Sequence, residues 1–157
     1  MKSSTISKLI ELKRKQLRSE YPNIPDHAVP TPKYTDKTAN GLTKCVVDFI
    51  NLSGGQAERI SNTGRYVDER VKYKDTLGHT KVIGSGKWIK GSGTLGTADI
   101  SAVINGRSVK IEVKIGKDRQ SEHQKKYQES IERAGGVYWI VKTFDDFYEQ
   151  YIELMLK

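Results

Sequence analysis

The sequence predicts an α/β protein: a mixed sheet with helices on its faces and one additional helix at the N-terminus. Three observations carry this. Apolar residues recur at helical spacing over 39–52. Alternating apolar runs flank Asn105-Gly106, the favoured two-residue turn of a hairpin. A near-continuous apolar run, Val137 to Lys142, suits a buried strand and lies between two helix-start patterns.

In chain order, residues 4–20 read as a basic amphipathic helix. Ile6, Leu9, Ile10 and Leu17 lie on one side, with Lys8, Lys13, Arg14, Lys15 and Arg18 elsewhere. All four prolines fall between Tyr21 and Lys33, which makes that stretch an extended connector. Residues 1–36 are therefore expected to form an N-terminal helix and linker, and 37–157 the main domain. A helix over about Ala39–Leu52 buries Leu42, Cys45, Val46, Phe49 and Ile50 and stops before Gly54-Gly55, and a short strand follows at about Gln56–Ser61. Residues 64–93, rich in Gly, Lys, Arg and Tyr, are expected to form an exposed β-excursion. Beyond the hairpin, Ser121-x-x-Gln124 has capping-box spacing and opens a helix that ends at Gly135. Thr143-x-x-Asp146 starts the last helix, with Phe147, Tyr151, Leu154 and Met155 inward.

The hairpin is the most informative element. A two-residue turn sets the register, so Ile104 opposes Arg107, Ala102 opposes Val109, Ile100 opposes Ile111, and Ala98 opposes Val113. That face is wholly apolar beyond Arg107. The other face sets Ser101 against Lys110, Asp99 against Glu112 and Thr97 against Lys114. Directly opposed like charges, with Cβ atoms about 4.5–5.5 Å apart, destabilise a strand pair. Two acids placed so make sense if a cation sits between them, and Mg²⁺ is commonly held by one or two carboxylates. Residues two apart on a strand share a face, so Lys114 joins the pair. Two carboxylates and an ammonium in one patch suit metal-assisted phosphodiester hydrolysis. A bare Glu-x-Lys is more often a solvated strand face; the opposing Asp99 is what raises this one above it.

Composition restricts the partner. The chain has 157 residues, a net charge of +8 and a pI near 9.5, which favour an anionic partner, nucleic acid first. A small phosphoester substrate is disfavoured by the same charge. The single Cys45 forms no internal disulfide, nothing at the N-terminus resembles a secretory segment, and no apolar run reaches membrane-spanning length. A cytoplasmic setting is expected. Three scattered histidines and one cysteine assemble no closed zinc site.

Gly96-Thr-Ala-Asp99, Glu112-Val-Lys114, Ser121-Glu-His-Gln124 and Ala134-Gly-Gly136 together resemble the PD-(D/E)XK nuclease superfamily, and more specifically its virus-type replication-repair branch, VRR-NUC. The similarity runs from about Gly41 to Phe147. It implies a restriction-endonuclease-like αβββαβ core, with 37–157 as the nuclease domain, and a Mg²⁺- or Mn²⁺-dependent endonuclease acting on branched or flapped DNA in a bacterial or phage-infected cell. On this resemblance Asp99, Glu112 and the backbone carbonyl of Val113 are metal ligands, Lys114 is the catalytic lysine, and Gln124 reaches the site from the following helix. Two departures stand out. The motif proline is Ala98, and an acid that many members carry on the first core helix is represented only by Asn40 near its start or Asp48 further along.

Other residues have two readings. Gln124 either closes its capping box or turns to the site, with the site favoured. Lys87, Trp88 and Lys90 fit a strand touching DNA, although Trp88 equally suits a core. Lys117 and Arg119 contact phosphate or are solvated loop charges. Gly84-Ser-Gly86 and Gly91-Ser-Gly93 are read as strand connections rather than phosphate cradles. His123 is read as a helix-surface residue. A Holliday-junction resolvase and a flap nuclease both fit; the former needs a homodimer, because a junction has two-fold symmetry. The alternative is a non-catalytic nucleic-acid-binding protein on a nuclease scaffold.

Overall fold

The computed structural model describes residues 4–61, 64–89, 91 and 93–156. In chain order the elements are α1 (Ser4–Glu20), α2 (Ala39–Leu52), β1 (Gln56–Arg59), β2 (Arg65–Asp68), β3 (Val71–Lys74), β4 (Thr80–Ile83), β5 (Gly86–Ile89), β6 (Ile100–Ile104), β7 (Arg107–Val113), α3 (Glu122–Arg133), β8 (Val137–Val141) and α4 (Phe144–Leu156). The protein is mixed α/β, with four α-helices among the described residues and a mixed four-stranded sheet in the order β1-β6-β7-β8. The first three of these strands are antiparallel, and β8 runs parallel to β7. A parallel pair needs a crossover, and α3 supplies it.

The hairpin forms as the turn chemistry requires. Asn105 and Gly106 have φ of +48° and +76°, the two positive values of a type I′ turn. The register follows: Ile104↔Arg107, Ala102↔Val109 and Ile100↔Ile111. The ladder stops there, so the further pairs expected at Ala98–Val113 and Thr97–Lys114 do not form part of it. Ile100, Ala102, Ile104, Val109 and Ile111 are buried, and the core forms on their face of the sheet.

That core is closed by helices. Thr38 caps α2 by accepting the Gly41 N–H at 3.1 Å, and Leu42, Cys45, Val46, Phe49 and Ile50 are buried on one stripe. Phe49 stands edge-on to Phe144, Phe147, Tyr148 and Tyr151, with ring centroids 5.1–5.8 Å apart. Ile6 and Leu9 of α1 enter the same apolar cluster, while Leu17 stays half-exposed. Tyr34 of the proline-containing connector is buried there as well.

The chain divides into two compact units, one of residues up to Ile60 together with those from Leu95 onward, the other Ser61–Thr94. The apolar stripe of α1, through Ile6 and Leu9, packs within the first unit. In the second unit β2 pairs with β5 and β3 with β4, both antiparallel. These strands are exposed along nearly their whole length. No helix among the described residues is long and apolar enough to cross a membrane.

Phe49→Ala removes the ring at the centre of the aromatic group. It should cost about 3–5 kcal/mol, read as a fall in the urea midpoint at unchanged m-value; a loss under about 1 kcal/mol would show that the cluster does not hold the helices to the sheet.

Candidate functional site

Strand alternation turns Glu112 away from the core face that holds Ile111 and Val113. It is nevertheless only 2% exposed, because α3 and Tyr138 of β8 cover it. Its Oε1 accepts from the Gln124 amide and from Lys114 Nζ at 3.0 Å, and its Oε2 accepts from the Tyr138 hydroxyl at 3.3 Å. Burial, then the charge of Asp99, push its carboxyl above the ordinary range, against the pull of Lys114 and Tyr138.

Asp99 lies one residue before β6. Its Oδ2 accepts the Val113 N–H at 2.9 Å, so the carboxylate takes over a backbone donor at the point where the ladder stops. The two acids expected to face one another are thus close enough for one to shift the other, although the strand pairing itself ends one residue short of them.

Lys114 is 6% exposed. Its Nζ also donates to Gln124 Oε1 at 3.1 Å and pairs with Asp118 Oδ2 at 3.3 Å. Burial works against its charge, but the bonds to Glu112 and Asp118 outweigh that and hold the ammonium above its ordinary range. Its backbone N–H is fixed to the Val141 carbonyl at 2.9 Å.

Gln124 does both jobs that were set against each other. Its Oε1 accepts the Ser121 N–H at 2.9 Å while Ser121 Oγ accepts the Gln124 N–H at 3.3 Å, completing the capping box. The same amide donates to Glu112 and accepts from Lys114. One planar amide serves a helix end and a buried ion pair together because its oxygen has two lone pairs and its nitrogen two hydrogens. Gly96 lets the helix come this close. A Cβ there would run into the His123 carbonyl and the Gln124 nitrogen, and its φ is +81°.

The remaining candidates separate. Lys117 and Arg119 are exposed on the loop before α3, flanking Asp118. His123 is exposed on α3. Asp48 accepts the Tyr34 hydroxyl at 2.7 Å, and Asn40 is exposed in the first turn of α2. Lys87 pairs with Glu69 at 2.8 Å in the second unit, and Trp88 is 66% exposed rather than core. Lys90 and Ser92 lie outside the described residues. Among the described residues no three His, Cys, Asp or Glu side chains converge as a metal cage. The donor set here is narrower: two mutually repelling carboxylates and main-chain oxygens, a set that suits a hard cation keeping several waters.

Two members of the cluster escaped the reading of the sequence. Tyr138 stands opposite Lys110, two residues from the Glu112↔Ile140 pair and on the same face, which the parallel register alone reveals. Its hydroxyl is held above the usual phenol range by burial and by the Glu112 charge. Asp118 offered no periodic signal because it lies in a loop. No protein-family model matches the chain, and no curated protein matches it.

The raised Glu112 carboxyl has a consequence for stability. A group bound more tightly to its proton in the folded state contributes stability that is full below the unfolded pKa and is lost as pH rises through the folded one. Metal-free protein should therefore weaken as pH climbs through that raised range. Glu112→Gln should flatten this part of the Tm-against-pH curve in EDTA; an equally steep fall in the variant would place the titrating group elsewhere.

Proposed function

We propose that the protein is a divalent-metal-dependent, structure-selective DNA endonuclease with a restriction-endonuclease-like core of the VRR-NUC kind. The observation that carries this is the gathering of Asp99, Glu112, Lys114 and Gln124 at one end of β7, from three separate sequence motifs. The order α2-β1-β6-β7-α3-β8 supports it, since it has the αβββαβ sequence of elements. The net charge of +8 supports an anionic polymer as substrate.

Asp99, Glu112 and the Val113 carbonyl would hold Mg²⁺ or Mn²⁺. When bound, such an ion supplies charge neutralisation at a phosphate and a lowered pKa for water. The chain's own groups do the rest. Lys114 carries a fixed positive charge that would offset charge building on the phosphate. Its three donors are held by Glu112, Gln124 and Asp118, so orienting a nucleophilic water would require one of these bonds, the one to exposed Asp118 first, to be exchanged. Gln124 is a positioning residue: it fixes both Lys114 and Glu112 through one amide. Tyr138 holds the second oxygen of Glu112 and so sets the plane of that carboxylate. Asp99 is anchored by the Val113 N–H, which ties one ligand's orientation to the backbone that would supply another. Lys117 and Arg119, exposed and close to this cluster in sequence, would meet the phosphates flanking the cut.

Nicking of supercoiled plasmid and of branched or flapped substrates, with Mg²⁺, Mn²⁺ or EDTA, tests the assignment directly. Asp99→Ala and Glu112→Ala should each abolish cleavage and leave DNA affinity within a few-fold of the parent. Full cutting by both with Mg²⁺ present would sink the metal-site assignment.

Lys114→Ala should lose cleavage but keep its affinity for the cation, because an ammonium does not ligate a metal. Calorimetric titration with Mn²⁺ separates the two effects: loss of metal binding in this variant would make the lysine's role structural.

A further inference from the structure

The second unit, Ser61–Thr94, carries a surface that the cleavage chemistry leaves unused. Tyr66 and Trp88 are directly opposed across the β2–β5 pair and therefore share one face. They are 55% and 66% exposed, unusual for side chains of this size that could have been buried. Each ring is laid over a glycine. A Cβ on Gly86 would collide with the Tyr66 ring and hydroxyl, and one on Gly64 with the Trp88 indole. The rings thus lean apart along the ladder, each with one face on bare backbone and the other open.

The charge of this unit is one-sided. Residues 61–94 hold seven Lys and Arg against three Asp and Glu, so this unit carries +4 of the chain's +8. Each of the three acids is engaged by a cation of the same unit: Asp68 by Arg70 at 2.6 Å, Asp75 by Lys81 at 3.1 Å, and Glu69 by Lys87 at 2.8 Å. Arg65, Lys72 and Lys74 have no acidic partner among the described residues.

Open aromatic faces in a unit that also carries uncompensated cations match one kind of occupant. Successive bases of a single strand stack on such rings while Lys and Arg follow the phosphates. A duplex hides its base faces and offers no such contact. A purely apolar protein partner would leave the cations unmatched. We propose that Tyr66 and Trp88 form a stacking platform for unpaired DNA bases, with Lys72 and Lys74 of the same unit as its phosphate contacts, so that this unit selects DNA containing single-stranded segments. The proposal deepens the nuclease reading and rests on it for the identity of the strand.

The test is binding by the full chain in EDTA, where cleavage plays no part. The probes are an oligothymidylate, an abasic strand of the same length, a blunt duplex, and that duplex with a single-stranded flap. Trp88→Leu and Tyr66→Leu should each weaken oligothymidylate and flap binding by about 5- to 150-fold, the range for one stacked base. Duplex binding should change less than about two-fold, and the abasic strand should bind no better to the parent than to the variants. Trp88→Phe keeps a ring and should restore most of the affinity. Oligothymidylate should also quench the parent's tryptophan fluorescence, and the quench should vanish in Trp88→Phe, since the other tryptophan, Trp139, is buried.

Equal losses on duplex and single strand, or a Phe variant as poor as Leu, would overturn the platform while leaving the nuclease reading in place. So would a DNA-free dimer, seen by sedimentation, that Trp88→Leu dissociates, because the rings would then be an interface between copies. A parent protein that binds none of the four probes would overturn both.

Discussion

Glu112 imposes the constraint around which one end of the sheet is arranged. A carboxylate at 2% exposure loses nearly all its water, and such a group is tolerated only when its oxygens are met by donors or its charge is matched. Lys114, Gln124 and Tyr138 supply those donors from a strand end, a helix N-terminus and a neighbouring parallel strand. Asp99 works against them. Its charge adds to the desolvation cost and lifts the Glu112 carboxyl. A cluster built only for stability would omit that second acid, because an apolar pair of equal volume serves a core better than a repelling one. Its presence is what makes the cluster a candidate site rather than a buried salt bridge.

The same constraint links the fold to the site. Glu112 is covered because α3 docks on the face opposite the main core. The helix docks so closely because residue 96 is glycine, and its first turn is ordered by the capping box of Ser121 and Gln124. Gln124 therefore connects the helix end with the ion pair, and displacing the helix start would disturb Glu112 and Lys114 together. The core on the other face, centred on Phe49 and the α4 aromatics, holds β6 and β7 in the register that brings Asp99 to Val113.

The second unit follows different rules. Its four short strands have little to bury, and its exposed apolar residues and cations are distributed as a surface would be. Half of the net charge resides there. On the proposed function, chemistry and strand selection belong to separate parts of one chain, the former needing a rigid buried cluster and the latter an open face.

Local chemistry determined much of this unaided. Asn105-Gly106 specified the turn, the turn specified the register, and the register put Asp99 and Glu112 on one face; the helices over 39–52 and after Ser121 were legible from periodicity and capping residues. These are short-range effects, written within a few residues of where they act. Other features depended on contacts between distant segments. The ladder ends at Ile100–Ile111 because the Asp99 carboxylate competes for the Val113 N–H. Tyr138 reaches Glu112 only through the parallel register of β7 and β8, which no turn dictates. The helix α1 joins the main core rather than standing apart, since an amphipathic stripe does not name the surface that will bury it. Whether Trp88 packed inside or stood open was likewise undecided by its alternating neighbours; in three dimensions it stands on the exposed β2–β5 pair, with its indole over Gly64.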